Sequence, residues 1–141
     1  MLPDAQPEEI EAPNEGTPPD EKPPLDENAV AGLRELGGGP ELLMELVDIF
    51  LGDAPPRLAE LREAAKVGDA STVERVAHTL KGSASSMGAI PLGNVAADLQ
   101  DVGGSGDLSD IESLLDRLEF EWERTLLALE ELKASERGNE A

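Results

Sequence analysis

The chain has 141 residues, room for one small domain, and a formal net charge of −20. That charge argues against nucleic acid and against anionic membranes as ligands, because both attract Lys and Arg. Cysteine is absent, so no disulfide and no thiolate metal site is available.

Phe50, Phe120 and Trp122 are the only aromatics, and Leu, Ala and Val supply most of the apolar side chains. Such a mixture favours helices, since strands draw on aromatic and β-branched residues. No stretch approaches the length of a membrane span. The acidic, proline-rich start Met1-Leu2-Pro3-Asp4 lacks the basic and apolar regions of a signal peptide. The expectation is a soluble, cytoplasmic protein with no membrane insertion.

Residues 1–24 hold seven of the eleven prolines, many acids and few large apolar groups. They read as a disordered leader or linker, unable to bury enough surface to offset ordering entropy. From Leu25 the pattern turns helical. Asp26 suits an N-cap for a short helix through Val30, Leu33 and Leu36, stopped by Gly37-Gly38-Gly39. Pro40 then fits a first helical turn. The next helix directs Leu42, Leu43, Leu46, Val47, Ile49 and Phe50 inward. Pro55-Pro56 is expected to kink or restart it before Leu58, Leu61 and Ala65. Asp69 caps a further helix that ends near Gly88. Pro91 opens another, with Leu92, Val95, Ala96, Leu99 and Val102 on its inner stripe and Gly103-Gly104-Ser105-Gly106 as its break. Asp107 starts the last and longest helix, through Ile111, Leu115, Leu118, Trp122, Leu129 and Leu132, and a polar tail follows over 135–141. Short connections between amphipathic helices imply antiparallel neighbours. The expected fold is all-α: an up-and-down antiparallel four-helix bundle over 25–134, with a short additional N-terminal helix.

The chain's one histidine is placed unlike a core residue. In the helix from Asp69, Val73, Val76, Ala77, Leu80, Ala84 and Met87 form one stripe at spacings of three and four. At about 100° per residue, His78 lies roughly 150° from the centre of that stripe. Its own face carries Ser71, Glu74, Arg75, Lys81, Gly82 and Ser85. Lys81, one turn on, puts a positive charge where a phosphate on the imidazole would lie. Gly82 costs the helix about 1 kcal/mol relative to alanine, and the compensation is clearance for another protein's active site. Ser83 to Ser86 keep the approach small. Glu74, one turn earlier, is spaced to orient the ring.

Other motifs read as structure. Gly37-Gly38-Gly39-Pro40 lacks the Gly-Lys-Ser/Thr of a phosphate loop and follows no strand, so it is a helix stop. The carboxylates show neither Glu-x-x-His nor calcium-loop spacing and are read as a solvated surface, with no metal site.

His78-Thr79-Leu80-Lys81-Gly82-Ser83 with Met87-Gly88 resembles the signature of histidine-containing phosphotransfer (HPt) domains of bacterial two-component phosphorelays. Phe50-Leu51-Gly52-Asp53-Ala54-Pro55 and Gly68-Asp69 extend the similarity over about residues 25–134. The resemblance implies that His78 is the phosphoacceptor, that Lys81 neutralises the phosphoryl group and that Gly82 gives the partner access. It also implies that Gln100 reaches the histidine or its phosphate. Where some members carry an arginine four residues beyond that glutamine, this chain has Gly104, leaving Arg75 as a candidate second cation.

The implied activity is a phosphotransfer intermediate without autonomous kinase activity. A phosphoryl group passes between His78 and the aspartate of a receiver domain, belonging to a response regulator or a hybrid sensor histidine kinase. The domain has no cofactor of its own, Mg²⁺ is expected on the receiver, and a monomer is the default. Docking is assigned to Val30, Leu33, Leu36, Arg75, Thr79 and Ser85, although Val30, Leu33 and Leu36 equally suit capping of the core. Two alternatives remain: a chemotaxis-kinase-type acceptor phosphorylated by a separate ATP-binding domain, and an acidic helical adaptor that is never phosphorylated.

Overall fold

The computed structural model describes residues 22–140, so residues 1–21 of the proline-rich leader lie outside the described residues. Five helices follow in order: α1 (Glu27–Arg34), α2 (Gly39–Val67), α3 (Ala70–Ser86), α4 (Ile90–Ser105) and α5 (Ile111–Glu140). No strand occurs among the described residues.

Cross-contacts establish the directions. Glu60 of α2 meets Arg75 of α3, while Phe50 lies beside Ser83 and Met87 near the other end, so these helices are antiparallel. Gly103 of α4 approaches Ala70 and Glu74, and Gly93 approaches Lys81 and Ala84, making α4 antiparallel to α3. Arg62 pairs with Glu119 and Lys133 with Asp48, which sets α5 against α2. The four long helices therefore run up, down, up, down. The predicted stripe of α3 is the centre of the core: Val73, Val76, Ala77, Leu80 and Ala84 are each 0% exposed. Leu43, Val47 and Leu61 of α2, Leu92, Val95 and Leu99 of α4, and Leu115, Leu118 and Leu129 of α5 close around it.

Local chemistry explains the helix ends. Asp69 caps α3: its carboxylate accepts from the Thr72 backbone N–H at 3.1 Å and from the Thr72 hydroxyl at 2.7 Å. These two bonds, the hydroxyl's first, hold the Asp69 carboxyl below its ordinary range. Gly68 (φ 77°) and Gly106 (φ 81°) end α2 and α4 in the left-handed conformation that glycine adopts without strain. Gly88, at φ 76°, turns the chain between α3 and α4, and its carbonyl accepts from the Asp26 N–H at 2.7 Å. That bond seats α1 on the end of the bundle.

Several expectations need correction. Helix α2 continues through Pro55-Pro56 without restarting. Gly52, Pro55 and Pro56 are all exposed, so water can serve carbonyls that lose their ladder donors. Ile49, expected inside, is 60% exposed. Asp107 does not begin α5. Its carboxylate instead accepts from the Ser109 backbone and hydroxyl in a turn, and the helix starts at Ile111. Helix α5 also runs on to Glu140, through the segment read as a polar tail. The acids are not all solvated: Glu121 and Glu136 are 2% and 5% exposed. Each is paired as a buried carboxylate requires, with Arg124 at 2.8 Å and Arg34 at 2.7 Å. Arg124 also donates to the Lys22 carbonyl, tying the start of the described residues to α5.

Gly103 is no break but an interior residue of α4, and there the helices nearly touch. A Cβ at that position would lie 2.5 Å from the Glu74 backbone nitrogen and 2.9 Å from the Ala70 carbonyl oxygen. Gly103→Ala should lower stability by about 2 kcal/mol, because backbone rather than a mobile side chain must move. Thermal melting should register a drop of order 10 °C. The same substitution at Gly82, where an added Cβ meets nothing within 4 Å, should instead raise stability by up to ~1 kcal/mol. Asp69→Ala should lower the melting temperature at pH 7 through loss of the cap. An acid with a depressed folded pKa stabilises above its unfolded pKa and loses that effect as pH falls through the folded value. The gap between wild type and Asp69→Ala should therefore close as pH is taken below about 4.

Candidate functional site

His78 lies near the middle of α3, on the face opposite the core stripe, and is exposed. Burial of Val76, Ala77 and Leu80 fixes the rotation of the helix, and that rotation turns His78 outward. The ring borders a shallow depression with Ser71, Glu74, Arg75 and Thr79 from α3 and Gln100 from α4. The structure thus brings together His78, Arg75, Thr79 and Gln100 among the sequence-derived candidates.

Gln100 is half-buried beside the ring, and its Oε1 is buried without a hydrogen-bond partner. An unsatisfied buried amide oxygen is uncommon. No hydrogen bond to the His78 ring occurs among the described residues, Glu74 included. Glu74 leans instead toward α4: a Cβ on Gly104 would stand 3.2 Å from its Oε2.

The cations divide. Arg75 is drawn toward α2 by Glu60 at 3.3 Å, with its side chain still 65% exposed. Lys81 stands one turn beyond His78 on the same face, half-buried, and makes no ion pair among the described residues. Thr79 donates its hydroxyl to the Arg75 carbonyl at 3.2 Å, an intrahelical bond. Gly82 is exposed with open space above it, and Ser85 is exposed one turn further on. On the α4 side, a Cβ at Gly93 would sit 3.6 Å from the Ala84 Cβ and 3.9 Å from the Lys81 carbonyl. Gly93 and Gly103 were not singled out from sequence as packing residues. Their signal was present, as the small residues Gly93, Ala96 and Gly103 at spacings of three and seven on one face of α4.

Further along α3, between its C-terminal end and α2, runs an apolar groove bordered by Leu33, Leu46, Ile49, Phe50 and Met87 with Ser83 and Ser86. Leu33 is half-buried there, and Leu36, just past α1, is 49% exposed. Val30 is 7% exposed and belongs to the core, the other of the two roles weighed for it. Ile49, missed as a surface residue, lines the groove.

Among the described residues no three His, Asp or Glu side chains gather as a metal site, and no helix is long and apolar enough to cross a membrane. A search of curated proteins found no match. Among solved structures, the chain is similar to histidine-containing phosphotransfer protein B (HptB) from Pseudomonas aeruginosa PAO1. The TM-score is 0.76 at 28% identity, over 80% of this chain and 96% of that one. The family model described as Hpt domain matches residues 45–135, which span most of α2, all of α3 and α4 and most of α5. With a bundle of that architecture and an outward histidine on its second long helix, this chain belongs to the Hpt domain family.

Proposed function

We propose that His78 is the phosphoacceptor of this Hpt domain and exchanges a phosphoryl group with the aspartate of a response-regulator receiver domain in a cytoplasmic phosphorelay. The observation that carries this reading is the exposure of His78 on a rigid helix face beside Lys81 and the open surface at Gly82. Membership of the Hpt family supports the same chemistry.

In the forward step the lone pair of the reactive ring nitrogen attacks phosphorus. The aspartyl O–P bond breaks, the carboxylate leaves with its electron pair, and an N–P bond forms. The other ring nitrogen keeps its proton throughout, so the reverse step releases a neutral imidazole. Such a transfer demands positioning and charge stabilisation more than covalent help from the protein. The receiver contributes the aspartate and the Mg²⁺ that screens the phosphoryl oxygens. This chain contributes the nucleophile, held by the packing of Ala77 and Leu80 directly beneath it. Lys81 supplies the counter-charge. The Gln100 amide, bordering the same depression, steadies the ring or donates its N–H to the phosphoryl oxygens. Gly82 clears the path by which the receiver's site reaches the ring. The groove through Leu33 and Ile49 supplies apolar contact for the receiver alongside the histidine, and the domain acts as a monomer. A net charge of −20 does not steer an acidic receiver from a distance, so recognition rests on that local patch.

The test is phosphotransfer from receiver domains charged with a small-molecule phosphodonor. Label on the wild-type domain should be acid-labile and alkali-stable, and His78→Gln should take up none while keeping its helicity and melting temperature. Label retained on His78→Gln would refute the assignment. Gly82→Phe should slow transfer at least ten-fold, about 1.4 kcal/mol in the barrier, with the fold intact. An unchanged single-turnover rate would remove the clearance role.

A further inference from the structure

We propose that the carboxylate of Glu74 sets the phosphotransfer equilibrium, biasing the phosphoryl group away from His78 and toward the receiver aspartate. This rests on the reading of His78 as the phosphoacceptor. Glu74 precedes His78 by four residues on α3, a spacing that makes helical side chains neighbours with Cβ atoms about 5–6 Å apart. Both border the same depression. Glu74 Oε2 lies over Gly104, which puts the carboxylate in the cleft between α3 and α4 at the edge of that depression.

No cation neutralises it. Glu74 makes no ion pair among the described residues, and the nearby positive groups are committed or placed elsewhere. Arg75 is held by Glu60 of α2 at 3.3 Å. On α4, Asp98 occupies Arg117 at 3.8 Å, while Asp101 is exposed and adds a negative charge next to Gln100. Lys81 remains as the counter-charge, one turn to the other side of His78. Gly104 has no side chain with which to offset Glu74.

A phosphoryl group brings close to two negative charges, of which the proton kept on the other ring nitrogen offsets one, where the free imidazole carries none. Glu74 therefore repels the phosphorylated form and leaves the unphosphorylated form untouched. When the N–P bond breaks and the aspartyl O–P bond forms, that repulsion is relieved, so it enters the equilibrium constant directly. For exposed charges this close, in a medium near water and partly screened by salt, the expected bias is about three-fold. The domain would act as a carrier that empties readily into its receiver rather than as a store.

The experiment measures the ratio of forward to reverse single-turnover rate constants between the domain and one charged receiver, at pH 8 and low ionic strength. Glu74→Gln should shift the ratio of phosphohistidine to phosphoaspartate about three-fold toward histidine, and Glu74→Lys further, with Glu74→Asp close to wild type. Raising salt to about 0.5 M should collapse these differences, which a purely structural effect would not do. Since Glu74 is exposed, helicity should be unaltered in each variant. Equal ratios for wild type and Glu74→Gln, or rates altered with the ratio unchanged, would overturn the proposal. Absence of label on wild type would overturn the His78 assignment instead, so the two failures are distinct.

Discussion

The near-contact of α3 and α4 is the constraint on which the site depends. Gly103 lies against the backbone of Ala70 and Glu74, and Gly93 lies against Ala84 and the Lys81 carbonyl. At Gly103 the helices are closer than any side chain would allow, while at Gly93 a Cβ would stand at ordinary contact distance. That approach puts the Gln100 amide beside His78 and the Glu74 carboxylate over Gly104. A bundle of ordinary interhelical spacing would keep His78 exposed but separate it from Gln100, which is on the other helix.

Exposure of the histidine has a simple cause. Val73, Val76, Ala77, Leu80 and Ala84 occupy one side of α3 so completely that the helix has a single favourable rotation. Every residue on the opposite side is then presented to solvent on a rigid scaffold. Rigidity lowers the cost of orienting a side chain toward a partner. The contacts that hold His78 in place thus lie in the core, not at the surface.

Charge is arranged in two ways. At the far edges of the bundle, Glu121 and Glu136 are buried and paired, serving to fasten Lys22 and α1 to the last helix. Around His78 the charged groups remain in water, where pairs contribute little to stability but alter the free energy of an incoming phosphoryl group. The excess of acids over bases is therefore not uniform padding. Some of it is structural, and one carboxylate, Glu74, borders the same depression as the histidine.

The helix order, the bundle, the core stripe of α3, the Asp69 cap and the outward histidine were all legible in sequence. They depend on local period and capping, which neighbours in the chain determine. The family signature around His78 was legible for the same reason, being contiguous. Other features required residues distant in sequence to meet. Gly103 looked like a helix break because its packing partner lies about thirty residues earlier, at Ala70 and Glu74. Glu121 and Glu136 looked solvated because burial follows from how α5 meets α1 and the segment at Lys22. Ile49 looked internal because period alone cannot tell a core stripe from the lip of a groove. By itself, then, the sequence determined the elements, the rotation of α3 and the exposure of its one histidine. Only the tertiary structure decided which groups of the neighbouring helix surround that histidine, because interhelical distance is set by the smallest residues on two separate faces at once.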